Sequence, residues 1–347
     1  MTIDIKAFAK RNAGKLMLLA PLAAFTVPLV WLYLLNPVSF DNMWKGRTFE
    51  LFFVWLILLE LILGWESLQK RMTEKLSKIR LGALLFALLL PTIYVVASNY
   101  LGINTAIVAF SERSGIAWPW SGDMPVVVEY LVFAGFFSLM AFLIRSFDGL
   151  KRFSIPILFS IIVGTVFLID NVYPYGQFTP FQFLVPITTM LASNALNLMG
   201  YKTALDTTHG NLPQLTVIDP NNPVKSVTFG VAWPCAGIES LLIFTVTIAL
   251  FLKRMPISWQ AKLGYFAFGA AITYIINIFR IVSIFLWSLG GGNEDFFHQF
   301  IGPLYPIVWI VSYPLIILAS QSLWSRIKAR NKSESLENPE SSPNPRG

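Results

Sequence analysis

The chain is poor in the residues that most often carry redox and metal chemistry. It has one cysteine, Cys235, and two histidines, His209 and His298, in 347 residues. A single thiol excludes a disulfide within the chain and excludes zinc sites built on several thiolates. Two histidines argue against a multi-histidine metal centre, so neither a metal nor a cofactor is expected. Charge is scarce as well. Asp, Glu, Lys and Arg make up 13% of the chain, against about 25% in soluble domains. The formal net charge of +7 does not indicate a nucleic-acid partner, because in a membrane protein basic residues mostly set orientation.

What the chain has instead is apolar length. A spanning helix needs about 20 mostly apolar residues. Eight stretches reach or approach that length, at 16–35, 49–66, 81–98, 126–144, 153–169, 236–252, 263–289 and 301–323. The expected fold is an all-α polytopic membrane protein, one integral domain over 1–332 in contact with membrane lipids. The first stretch is long for the apolar core of a signal peptide and lacks a clear small-residue cleavage site, so it reads as an anchor. Residues 333–347, rich in Ser, Pro, Glu and Asn, are expected to be a disordered cytoplasmic tail.

Basic residues orient these spans. Lys6, Lys10, Arg11 and Lys15 precede the first, and Lys70, Arg71, Lys75, Lys78 and Arg80 follow the second. Arg145, Lys151 and Arg152 join the fourth and fifth, Lys253, Arg254 and Lys262 the sixth and seventh, and five more lie in the tail. The positive-inside rule then puts both termini in the cytoplasm of a cell membrane. The segment 181–234 falls on the outer face. In it, Gln182, Thr189, Ser193 and Asn197 recur at helical spacing, opposite Leu184, Ile187, Leu191 and Leu198. That pattern predicts an amphipathic helix at the outer interface that does not cross. Beyond it, LTVI and SVTFGV flank the turn signal DPNNP, which predicts a β-hairpin leading to Cys235.

Three reactive groups converge on that outer face. Taken alone, a lone cysteine is a small buried hydrophobe. Cys235, however, follows Pro234 at the outer start of the sixth span, and a helix start favours a thiolate through its positive partial charge. Gly237 would let a substrate backbone come close. Arg280 interrupts the seventh span, and a charge inside a membrane segment is a functional-site signal by default. It lies nine residues before Leu289, about 14 Å along a helix, with Asn277 one turn away on its face. A structural ion pair with Glu239 or Glu60 is the competing account of Arg280. His298 lies in GGGNEDFFHQF, between the seventh and eighth spans, where Glu294 and Asp295 are placed to orient it. Glu239, four residues after Cys235, is expected to hold Arg280 in place. His209, in DTTHGN, reads as part of a solvated turn.

The sequence PCAGIESL, then NIFRI, then a histidine ahead of the last span, resembles the exosortase/archaeosortase family of membrane-embedded cysteine transpeptidases and proteases. The resemblance runs from about Phe229 to Leu323. It implies a nucleophile at Cys235, an oxyanion or carbonyl stabiliser at Arg280 and a general acid/base at His298. It also implies partners: exported proteins with C-terminal sorting signals, each a short motif, an apolar helix and a basic cluster. The cleaved product would pass to an amine or lipid acceptor, or to water. Two other readings compete. One is a membrane acyltransferase that uses His298 and leaves Cys235 incidental. The other is a transporter in which Arg280 binds an anionic substrate.

Overall fold

The computed structural model describes residues 5–41, 45–70, 77–174, 177–206, 212–302 and 304–337. It is predominantly helical. In chain order the helices are α1 (Ile5–Leu35), α2 (Thr48–Lys70), α3 (Lys78–Tyr100), α4 (Ile103–Arg113), α5 (Trp120–Arg152), α6 (Ser154–Val172), α7 (Thr179–Gln182) and α8 (Leu184–Leu198). Three strands follow: β1 (Lys202–Asp206), β2 (Gln214–Asp219) and β3 (Asn222–Gly230). The chain closes with α9 (Glu239–Arg254), α10 (Trp259–Leu289), the short α11 (Glu294–Phe296) and α12 (Leu304–Glu337).

All eight expected spans are helices, yet among the described residues six, not eight, are long and apolar enough to cross a membrane. These are the helices at 78–100, 120–152, 154–172, 235–253, 259–289 and 304–324. The other two expectations fall on α1, whose described apolar stretch is Leu19–Leu35, and on α2. The chain is thus an integral multi-pass membrane protein. Three further differences stand out. The expected hairpin is a three-stranded antiparallel sheet, order β1-β2-β3, because Lys202–Asp206 pairs with Gln214–Ile218. Helix α4 occupies a loop in which no helix was expected. Helix α12 runs to Glu337, past the expected start of the disordered tail at 333. His209 lies outside the described residues.

Edge-to-face aromatics form the main core. Phe25 of α1 meets Phe53 of α2 at 5.3 Å and Phe133 and Phe137 of α5 at 5.3 and 5.8 Å. Such contacts favour ring edges against ring faces. Polar pins then fix how these helices sit. Arg47 grips Glu129 of α5 through Nε at 2.6 Å and a second nitrogen at 3.1 Å. Lys253 of α9 reaches Glu60 of α2 at 3.1 Å, so Glu60 has a partner other than Arg280. Within α5 the helix breaks at Arg145 and Ser146. Arg80 of α3 satisfies the carbonyls left free there, bonding Leu143 at 2.6 Å and Phe142 at 2.8 Å. Carbonyls freed by a helix break in an apolar setting need such a donor.

A second, smaller core places the site. One face of the sheet, through Leu215 and Val217 with Val227 and Phe229, packs on α8 and α10. On α8 the polar residues turn inward: Thr189 is fully buried, and Ser193 and Asn197 both bond Thr203 of β1. Ile187, Met190 and Leu198 are exposed.

Candidate active site

The sheet delivers the chain to the thiol. Beyond β3, Trp233 is buried, and its indole N–H donates to Asp170 Oδ1 at 3.0 Å. The other carboxylate oxygen of Asp170 pairs with Lys45 Nζ at 2.8 Å. Two residues past Trp233 comes Cys235, half-buried, inside a wide π-helical turn over Pro234–Ile238. This corrects the expected start of a regular helix at Pro234. Gly237 adopts φ +95°, in the left-handed region, and the α-helix proper begins only at Glu239. The helix-terminus argument for the thiol therefore weakens.

The turn is bracketed from two sides. Asn277 of α10 donates through Nδ2 to the carbonyl of Cys235 at 2.9 Å. Thr188 of α8 donates to the carbonyl of Ala236 at 3.4 Å and contacts the Tyr274 hydroxyl at 2.7 Å. A Cβ on Gly237 would lie 3.0 Å from Asn277 Nδ2. The glycine thus serves the turn's conformation and its packing on α10.

Cys235 and His298 border one cavity of about 200 Å³. His298 is exposed, within a second π-helical turn over Phe297–Ile301 that follows α11. Asn293 caps α11, its side chain accepting from the Phe296 N–H at 3.0 Å, so a short helical turn holds the histidine where a flexible loop was expected. Glu294 shares the cavity wall with His298; the side chain of Asp295 lies outside those described. Ile281 and Phe285 of α10 supply apolar wall.

Arg280 lies one layer deeper. It is 6% exposed, and its Nε is buried without a hydrogen-bond partner. It is within Coulombic range of both Cys235 and Glu239. Glu239 is buried, with Oε1 unpartnered, and makes no ion pair with Arg280 among the described residues. Neither Glu60 nor Glu239 thus forms a close ion pair with Arg280, although Glu239 and Arg280 still feel each other's charge, and a buried Nε without a hydrogen-bond partner keeps Arg280 a functional candidate. Gly302 gives the guanidinium its room, since a Cβ there would approach Nε to 2.8 Å.

Sequence reasoning missed the Trp233–Asp170–Lys45 chain. Asp170 fell one residue past the expected end of the 153–169 span. The tryptophan two residues before the thiol was the one visible signal.

In this multi-pass membrane protein Cys235 and His298 thus border one small cavity, and the buried Arg280 lies within electrostatic reach of the thiol. Residues 43–316 match the family model of the transmembrane exosortase (Exosortase_EpsH), a stretch that contains Cys235, Arg280 and His298. The chain belongs to this family of membrane-embedded proteases. No curated protein and no solved structure matches it.

Proposed function

We propose that the chain is a cysteine transpeptidase or protease that cleaves C-terminal sorting signals of exported proteins at the outer membrane face. The observation that carries this reading is the shared cavity of Cys235 and His298, which come from separate turns far apart in sequence. His298 takes the thiol proton and the sulfur attacks the scissile carbonyl carbon. Arg280 stabilises the oxyanion that forms. As the tetrahedral intermediate collapses, the peptide C–N bond breaks and His298 returns the proton to the departing amine. The resulting thioester is then attacked by an amine-bearing or lipid acceptor, or by water, and Cys235 leaves as the thiol. Glu294, on the same cavity wall, orients the imidazole, and Ile281 and Phe285 of α10 give the thioester an apolar side.

The test is processing of a co-expressed exported protein that ends in a short motif, an apolar span and a basic cluster. Cys235→Ala abolishes processing, and intact-mass spectrometry of the wild-type enzyme detects a thioester adduct on Cys235. Unchanged processing by a well-expressed Cys235→Ala variant overturns the nucleophile assignment.

A further inference from the structure

One wall of the cavity is a strand and its exit. Phe229, Gly230 and Val231 border it together with Glu294 and His298, and no described residue of β1 or β2 takes part. Strand β3 is the last in the order β1-β2-β3, so among the described residues no strand pairs with its other edge. An edge strand presents a row of unpaired N–H and C=O groups.

The register says which residues present them. The Val231 N–H donates to the Pro213 carbonyl at 2.9 Å, and these two residues face each other in the register that pairs Gly230 with Gln214 and Phe229 with Leu215. Opposed pairs in an antiparallel ladder alternate between hydrogen-bonded and non-hydrogen-bonded. Phe229 and Val227 therefore bond toward β2, while Ser226, Thr228 and Gly230 turn their main-chain groups to the open edge. The 2.8 Å contact between the Thr216 and Thr228 hydroxyls agrees, since side chains lie closer in non-hydrogen-bonded pairs. Phe229 anchors the strand from below, its ring 5.1 Å from that of Phe285.

Gly230 supplies an independent sign. Its φ lies outside the left-handed region, and among the described residues a Cβ there would meet nothing closer than Leu212 at 3.9 Å. None of the described packing demands glycine at this position. A glycine in a strand often marks a bulge, a bend or a place where a ligand or another backbone approaches closely, and the last of these fits a residue on the cavity wall.

We propose that the substrate binds in extended form as a fourth strand on the open edge of β3, its main chain bonded to Thr228 and Gly230, which brings the scissile carbonyl to Cys235. This rests on the peptide-cleaving reading above and adds how the peptide is held. Ser226 to Gly230 spans about 13 Å at about 3.3 Å per residue, enough for four or five substrate residues. Main-chain pairing supplies affinity, and alternate side chains supply selectivity.

Two arms test this with the full chain and the co-expressed exported protein. First, proline is moved one residue at a time along the substrate on either side of the cleavage site, since each proline removes one N–H. Strand addition gives tenfold or greater losses of processing at every second position on one side. Uniform tolerance, or losses without a period of two, overturns it. Second, a photo-crosslinking residue replaces Thr228 in the Cys235→Ala background. A crosslink to the segment beside the cleavage site supports the proposal, and its absence, with crosslinking seen only from β1, overturns it. Gly230→Pro then lowers processing at least tenfold with an unchanged thermal midpoint, whereas Phe229→Pro, which breaks the β2 ladder, also lowers the midpoint. The arms separate the two ideas. Normal processing by Cys235→Ala removes the nucleophile even where the Thr228 crosslink stands, and a failed proline period removes the strand even where the thioester forms.

Discussion

Asn277 on α10 bonds the main-chain carbonyl of Cys235 at 2.9 Å, so the nucleophile's backbone is tied to the helix that also carries Arg280. Asn277 is fully buried, and its Oδ1 has no partner, so the donor side of the amide makes the recorded contact. Asn277→Ala removes the side-chain donor to that carbonyl, a loss of about 0.5–1.5 kcal/mol. Asn277→Asp places a carboxylate against it instead. The expected order of processing and of thermal midpoint is wild type, then alanine, then aspartate. An aspartate variant as active as wild type would show that the bond does not hold the turn.

Gly237 gives the second prediction. At φ +95° a side chain costs about 1–2 kcal/mol, and here a Cβ would also press on Asn277 Nδ2 at 3.0 Å. Gly237→Ala lowers the midpoint in detergent and changes the rate at which a maleimide labels Cys235. Because Cys235 is the only cysteine, labelling reads the turn directly. An unchanged rate and midpoint would show that the turn relaxes freely.

Much of this site was legible in the sequence, and the parts that were not share a physical cause. Apolar length located the helices, because a bilayer sets that length, and the rarity of Cys235, Arg280 and His298 in such a chain singled them out. Sequence spacing failed where the backbone left regular geometry. Pro234 suggested a helix start, but the left-handed Gly237 inserts a wide turn, so four-residue spacing no longer fixes how Glu239 faces Cys235. The third strand was missed because Lys202–Asp206 has little alternation and gains its place by pairing with β2. Asp170 was missed because its partners, Lys45 and Trp233, are distant in sequence and meet only in the fold.

Arg280 and Gly302 form a linked test. Lysine keeps the charge at 280 but lacks the planar fork that matches an oxyanion or carbonyl. Arg280→Lys is expected to cut processing by about 100-fold or more, the size of losing one oxyanion donor. Gly302→Ala pushes on the guanidinium, 2.8 Å from Nε, at a residue outside the described wall of the cavity. It should lower turnover more than apparent substrate affinity and leave maleimide labelling of Cys235 intact. A Gly302→Ala enzyme with wild-type turnover would mean that the position of Arg280 is not critical.

Asp170 joins stability to activity, and its two oxygens allow the roles to be separated. One accepts from the Trp233 indole at 3.0 Å and the other pairs with Lys45 at 2.8 Å, both side chains of that pair being 11% exposed. Trp233→Phe removes the indole donor while the ion pair stays. It should reduce processing per folded enzyme severalfold with little change in midpoint, because Trp233 lies two residues from the thiol. Lys45→Met breaks a nearly buried ion pair, and since such losses reach about 3–5 kcal/mol at most, it should lower the midpoint while the folded fraction keeps its turnover. Asp170→Asn retains an oxygen for the indole and should resemble Lys45→Met, whereas Asp170→Leu loses both contacts and should show both defects. Equal effects of Trp233→Phe and Lys45→Met on turnover would mean that Asp170 acts only as scaffold. A turnover loss confined to Trp233→Phe and Asp170→Leu identifies it as the residue that positions the nucleophile's turn.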